Sequence, residues 1–295
     1  MNRSVFGTKL FGDVAASVKH CVGRVLLVRK ARLLKNYPRA VAARPRAALS
    51  YLLFDRETTN LTYEIENEDE LAEVIADALG RPPNEIAGFV AEPAQDERFL
   101  EDLRRALTSR ADRNDEPRFG RRLGWYATVR ALRPQLVVET GVHDGLGSAL
   151  LLRALDRNGA GRLLGFDTDP SSGWLVPEWL RDRYEIVIGD SRETLDRTLA
   201  GCRVGLFVHD SLHTYEHERF EFETAVAHAD DGIALVSDNA HASSALANFS
   251  SEHGLRFALF IERPRKHFYP GAGLGLGVRR SAEQTASTSS SASSG

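Results

Sequence analysis

The chain is predicted to fold as an α/β domain. A doubly wound, mostly parallel seven-stranded sheet carries an antiparallel C-terminal edge hairpin and follows an N-terminal helical appendage. Three observations point there. From residue 119 onward, short apolar runs alternate with stretches of helical length, the pattern of a parallel sheet wrapped by helices. VVETGVHDGLGS (137–148) reads as a strand, a glycine-rich turn and the start of a helix. The last two apolar runs, 256–262 and 272–279, are joined only by RPRKHFYPG. That is too short for a crossover helix, so the two strands must pair antiparallel.

Within 119–280 the expected elements follow in order. A helix around 120–132 ends before Pro134, and strand 136–140 leads into helix 146–157. Strand 162–167, a helix near 175–182 and strand 184–188 come next. Helix 192–199, strand 203–209, helix 214–229 and strand 232–237 follow, then helix 243–253, which stops at Gly254. The acid-rich stretch EHERFEFETAVAHA (216–229) is expected to place its charges on a solvated helix face. GAGLGLG (271–277) resembles a phosphate loop, but no helix follows it, so it is read as edge-strand packing.

Upstream, residues 1–47 hold eleven Lys or Arg and one acid, Asp13. Cations and aliphatics alternate over 18–34 at roughly helical spacing. Such a helix either packs its apolar face on the main domain or lies on an anionic membrane surface through 18–46. Residues 48–118 are expected to form a helical appendage and linker. NEDELAEVIADALG (67–80) has an Asn67 cap and a Gly80 stop, Pro82-Pro83 break the chain, and DERFLEDLRRALTSR (96–110) is a second helix. LTYEI (61–65) is an extended lead-in, and RADRNDEPR (110–118) is a charged linker. The appendage is expected to cover an active site or to mediate homo-oligomer formation. The Ser-, Thr- and Ala-rich tail 281–295 is expected to be disordered.

Composition narrows the class. A hydrophobic share of 42% supports a sizeable core, and a net charge of −3 argues against a nucleic-acid binder. Two distant cysteines, Cys21 and Cys202, make no disulfide framework. No apolar run is long enough to span a bilayer, and no signal-peptide pattern opens the chain. The expected location is therefore cytoplasmic, with peripheral membrane contact as the variant reading.

The chemistry is expected at the carboxyl ends of the strands, where ligands bind in open α/β sheets. VGLFVHD ends on Asp210, and GIALVSDN ends on Asp238 and Asn239. Two neighbouring strands would bring these oxygens to one edge as a hard ligand set suited to Mg²⁺. In the loop after the first strand, Gly141, Gly145 and Gly147 do not complete the dinucleotide fingerprint. Glu139, just before Gly141, would repel a pyrophosphate and suits a cationic ligand with an amino group and a sulfonium. Asp167 ends the second strand and can accept from two ribose hydroxyls. Asp190 ends the third, where it contacts adenine or merely caps the next helix. His213, three residues past Asp210, can take a hydroxyl proton near neutrality. His241 is the reserve base, and His209 is expected to be buried and structural.

ETGVHDGLGS, GFDTDP, GDSRETL, HDSLHTYEHE and VSDNA together resemble class I S-adenosylmethionine-dependent methyltransferases. The nearest resemblance is to the methyltransferase 24 family, with its macrocin-type and rhamnosyl O-methyltransferases, and it covers about 120–280. It implies a cofactor site at Glu139, Gly141, His143, Gly145, Ser148, Asp167 and Asp190. Asp210, Asp238 and Asn239 resemble the magnesium ligands of catechol-type O-methyltransferases. Leu212 stands where macrocin-type members carry a second acid, which leaves His213 as the base. The resemblance implies an O-methyltransferase, assisted by Mg²⁺, acting on a small-molecule hydroxyl such as that of a sugar, a glycosylated metabolite or a phenol. Two rivals are a membrane-associated binding protein with a degenerate transferase domain and a nicotinamide-dependent oxidoreductase. The loop spacing and the terminal hairpin speak against the latter.

Overall fold

The structure is a computed structural model that describes residues 25–58 and 60–279. One sheet organises it. Its strands are β1 (Leu136–Thr140), β2 (Arg162–Asp167), β3 (Tyr184–Ile188), β4 (Val204–His209), β5 (Ala229–Asp238), β6 (Arg256–Ile261) and β7 (Gly273–Val278). Their order is β3-β2-β1-β4-β5-β7-β6. The first five run parallel, and β7 lies antiparallel between β5 and β6. The expected hairpin is present, but β7 is its inner strand and β6 forms the edge. Alternating glycines explain this. Gly275 and Gly277 let Ala240, Leu246 and Ser250 pack directly on the strand, where an added Cβ would meet them at 2.7, 3.1 and 2.8 Å.

Both faces of the sheet are apolar because helices cover both. Alternate residues of a strand point to opposite faces. Val137, Leu206, Val208, Ala234 and Val236 join one core with α7 (Leu123–Leu132) and α8 (Leu146–Asn158). Val138, Phe207 and Leu235 join another under α9 (Ser191–Leu199), α10 (Tyr215–Ala227) and α11 (Ala245–Glu252). The expected helix near 175–182 is a 3-10 helix, Glu178–Arg183.

The appendage adds α4 (Glu68–Leu79), α5 (Pro83–Ala91) and α6 (Glu97–Thr108). Gly80 closes α4 in the left-handed region, and the Asp96 side chain caps α6 by accepting from Phe99 N. Two expectations need correction. Pro82-Pro83 do not simply break the chain: Pro83 starts α5, since proline is tolerated where a helix needs no N–H. RADRNDEPR is not a solvated linker. Arg113 and Asn114 are buried, and Arg113 Nη2 lies 2.7 Å from Asp144. Tyr63, Ile65, Leu71 and Phe99 belong to the same continuous core as the sheet.

At the N-terminal end, residues 25–35 are helical (α1), followed by α2 (Pro38–Ala43) and α3 (Pro45–Phe54). Leu33, Leu34 and Tyr37 pack against Ala48, Tyr51 and Phe268. Lys30 is buried because its ammonium caps the end of α3, donating to Leu52 O at 2.5 Å and Asp55 O at 2.7 Å. Val25, Leu27 and Val28 stay exposed. The expectations for 18–24, for Cys21 and for the tail 281–295 fall outside the described residues. Among the described residues, no helix is long and apolar enough to cross a membrane.

Candidate active site

Strand register brings the predicted residues together. Thr140 pairs with His209, and His209 pairs with Ser237. One step further along, Gly141, Asp210 and Asp238 come level at the sheet edge. Gly141 has φ +84°, and a Cβ there would lie 2.1 Å from Asp210 O. Only glycine fits so close an approach. Two cavities open at this edge, of about 470 and 280 Å³. They share Gly141, His143 and Asp210 as a common wall.

The larger cavity runs along the ends of β1, β2 and β3 and is lined by Phe166, Asp167, Gly189 and Asp190. Asp167 is held in place by two backbone N–H groups, His143 N at 2.7 Å and Asp169 N at 2.9 Å. Asp190 both caps α9, accepting from Arg192 N at 2.9 Å, and faces the cavity. The two readings of that residue are thus compatible. His143 adopts φ +50° in the loop. Its pKa is raised by a hydrogen bond to Asp144, against the effect of burial.

The smaller cavity lies under the appendage. Tyr37, Asn60 and Tyr63 roof it, and Asp210, Asp238 and Asn239 form its floor. Two arginines fill the acidic edge. Arg121 Nε donates to Asp238 Oδ1 at 2.7 Å, and its Nη2 donates to Asp238 Oδ2 and, at 3.3 Å, to Asn239 Oδ1. Arg121 Nη1 donates to Glu262 Oε1 at 2.9 Å. Arg122 Nη2 donates to Asp210 Oδ2 at 3.3 Å. Burial alone would raise the pKa of Asp238, but Arg121 and Arg122 hold it below the ordinary carboxylate value. The pKa of Asp210 is raised, first by burial and then by repulsion from Asp238.

The described residues 138–240 match the family model for a methyltransferase domain, methyltransferase 24, over about a third of the chain. This chain carries an S-adenosylmethionine-dependent methyltransferase domain of that family. No curated protein matches it. Among solved structures, it is similar to the O-methyltransferase TomG from Streptomyces achromogenes, solved in complex with S-adenosylmethionine. Identity is 15% and the TM-score 0.45, covering 62% of this chain and 90% of that one. An O-methyltransferase from Bacillus cereus in complex with S-adenosylhomocysteine is 11% identical, with a TM-score of 0.43, covering 72% of this chain and 97% of that one. A methyltransferase from Geobacter sulfurreducens is 24% identical, with a TM-score of 0.38, covering 52% of this chain and 75% of that one.

The methyltransferase domain fits its cofactor. Glycine at 141 lets the loop close up against the backbone of Asp210 and Ser211, and Asp167 and Asp190 line the larger cavity with acceptors. Three of the expected cofactor residues stand back from the cavities. Glu139, Gly145 and Ser148 line neither cavity. Glu139 shares the strand face of Val137, so it points into the sheet–helix interface and is hydrogen-bonded by Ser148 Oγ. Gly145 caps α8 at φ +89°, where a Cβ would lie 2.7 Å from Gly173 Cα. These residues support the loop from behind.

Of the expected Mg²⁺ ligands, Asp210 and Asp238 come together with His213, the three able to offer ligand atoms within 4.8 Å of one another. As arranged, however, they do not fit Mg²⁺. Both oxygens of Asp238 and the oxygen of Asn239 already accept from Arg121, and Asp210 Oδ2 accepts from Arg122. His213 lines neither cavity, and its Nε2 lies 2.9 Å from Asn239 Nδ2 and 3.5 Å from Asp210 Oδ1. Burial would lower its pKa, but the hydrogen bond and charge of Asp210 raise it. His241 Nδ1 accepts from Gly273 N at 2.9 Å, a tie between loop and strand.

Behind the site lies a polar network that the sequence reading missed. Glu218 and Glu221 of α10 are fully buried, so the expectation of an all-solvated acidic face is corrected. Glu221 accepts from Thr140 Oγ1 at 2.6 Å and Ser211 Oγ at 3.0 Å, and meets His209 Nδ1 at 2.7 Å and His217 Nε2 at 2.9 Å. One carboxylate thus ties the ends of β1 and β4 to α10. His209 is buried and structural, as expected. Arg121, Arg122, Asn60 and Tyr63 were also missed. The paired arginines opening an apolar helix were the one legible signal.

Glu139 makes the first prediction. Burial pushes its pKa up to about 8, opposed by the Ser148 hydrogen bond and aided by Asp210. A carboxyl raised in the folded state favours folding fully below its unfolded pKa of about 4.5 and loses that contribution as pH rises through about 8. Between pH 5 and 8.5, urea unfolding should show wild type losing on the order of a few kcal/mol that Glu139→Gln does not lose. Parallel pH profiles for the two proteins would refute this.

Proposed function

We propose that the chain transfers the methyl group of S-adenosylmethionine to a hydroxyl oxygen of a small molecule held in the smaller cavity. The observation that carries this is the shared wall. Asp210 and Gly141 border both cavities, so donor and acceptor sites adjoin at a carboxylate. Bound S-adenosylmethionine supplies an electrophilic methyl, so the S–CH₃ bond breaks as an O–CH₃ bond forms and the thioether product leaves. Methyl transfer needs the two partners held in line, and fixed cavity walls supply that orientation. The hydroxyl proton goes to Asp210. Its raised pKa brings it closer to the range of a useful base, and His213 Nε2 stands 3.5 Å from its Oδ1. Asp167 and Asp190 hold the ribose and adenine side.

Calorimetry tests the reading. S-adenosylhomocysteine should bind the full chain, and Asp167→Ala should weaken it by about tenfold or more, as expected for loss of a charge-assisted hydrogen bond. No binding by wild type would reject the function. Unchanged affinity in Asp167→Ala would reject the assigned cavity.

A further inference from the structure

We propose that the cationic element facing the acceptor is a resident arginine pair in place of a divalent metal, and that Arg122 grips a carboxylate carried by the acceptor beside its hydroxyl. This deepens the function proposed above and rests on it.

Arg121 and Arg122 differ in how far they are satisfied. Arg121 is held on both sides. Asp238 takes its Nε and Nη2, Glu262 takes its Nη1, and its backbone N–H donates to Glu262 Oε2 at 3.0 Å. Tyr63 donates to the same carboxylate at 2.5 Å, which fixes the arrangement further. Both acids are fully buried. Arg121 is therefore a built-in countercharge to Asp238, set where a metal would otherwise stand.

Arg122 makes a single side-chain hydrogen bond among the described residues, the 3.3 Å contact to Asp210. Its guanidinium lies over the Trp125 ring, 5.3 Å from the centroid, and borders the smaller cavity. A guanidinium carries five donors in a rigid fork that matches a carboxylate. Most of that fork is left for a ligand. The cavity around it offers Asn60 and the rings of Tyr37, Tyr63 and Tyr269, which suit the flat or apolar body of a hydroxylated acid. Mg²⁺ at the same place would need six octahedral ligands at about 2.0–2.1 Å, waters included. It would have to strip Arg121 from Asp238 and sit beside two fixed positive charges.

The test uses Mn²⁺ as a metal probe and salicylate as a small hydroxylated carboxylate, both with the full chain. S-adenosylhomocysteine binding serves as the check of fold. Wild type should show no saturable Mn²⁺ binding up to ~1 mM by electron paramagnetic resonance. Arg121→Met, if it still binds S-adenosylhomocysteine, should gain Mn²⁺ binding as Asp238 is freed. Salicylate should bind wild type in the presence of S-adenosylhomocysteine. Arg122→Gln should weaken salicylate by about tenfold or more, with Arg122→Lys in between. Saturable Mn²⁺ binding by wild type that is lost in Asp238→Asn would overturn the proposal while leaving methyl transfer intact. So would salicylate that fails to bind wild type or binds Arg122→Gln equally well. Loss of S-adenosylhomocysteine binding by wild type would instead defeat the underlying function.

Discussion

Replacing Arg121 by methionine is expected to lower the free energy of unfolding by about 3–5 kcal/mol, the cost of leaving a buried charge unpaired. Asp238 and Glu262 are both fully buried, and Arg121 is the cation they share. Glu262 keeps Tyr63 and the Ala272 N–H as partners, whereas Asp238 loses two hydrogen bonds at once. The damage should therefore fall mainly on Asp238. Adding Asp238→Asn to Arg121→Met should recover about half of the loss, because a neutral amide is cheaper to bury than a lone carboxylate. Urea midpoints for the two single variants and the double variant decide the matter. A loss below about 1 kcal/mol in Arg121→Met would mean the pair behaves like an exposed ion pair.

Gly141→Ala is expected to weaken cofactor binding by about tenfold to 100-fold, since forcing an extra methyl into a packed site costs about 1–3 kcal/mol. The added methyl would lie 2.1 Å from Asp210 O and 2.8 Å from Ser211 N, backbone atoms that cannot turn aside. The position also has φ +84°, which strains any L side chain by about 1–2 kcal/mol. The end of β1 must move away from β4, and the wall common to both cavities goes with it. Calorimetry with S-adenosylhomocysteine reads the effect. Gly159→Ala is the control: it has a similar positive φ, but nothing lies within 4 Å of its Cβ. It should carry the strain and leave affinity unchanged. Equal losses in the two variants would show that backbone strain, not crowding at the strand ends, is responsible.

Much of this architecture was legible in the chain. Strands buried on both faces read as largely apolar runs, and β1 and β2 fall where the runs predict; β3, a half-exposed edge strand, does so too. Residues that end strands were legible for the same reason. Asp167, Asp190, Asp210 and Asp238 follow apolar runs, and parallel register then brings those ends level. Partners that arrive from other elements were not legible. Nothing local to Arg121 reveals that its guanidinium will meet Asp238, 117 positions away. Glu218 and Glu221 look solvated because their helix is rich in charge, yet buried histidines wait on the far side. Glu139 stands back for a simpler reason. Strand alternation turns it toward α8, while Thr140 and Gly141 border the larger cavity.

Tyr37, Asn60, Tyr63, Arg121, Arg122 and Tyr269 surround the smaller chamber, and all of them lie outside the 138–240 segment that matches the family. Every residue bordering the larger chamber lies inside it. The floor of the smaller chamber, Asp210, Asp238 and Asn239, still comes from inside the segment. Variation in the flanking stretches can therefore reshape the upper walls of the smaller chamber while the larger one stays untouched.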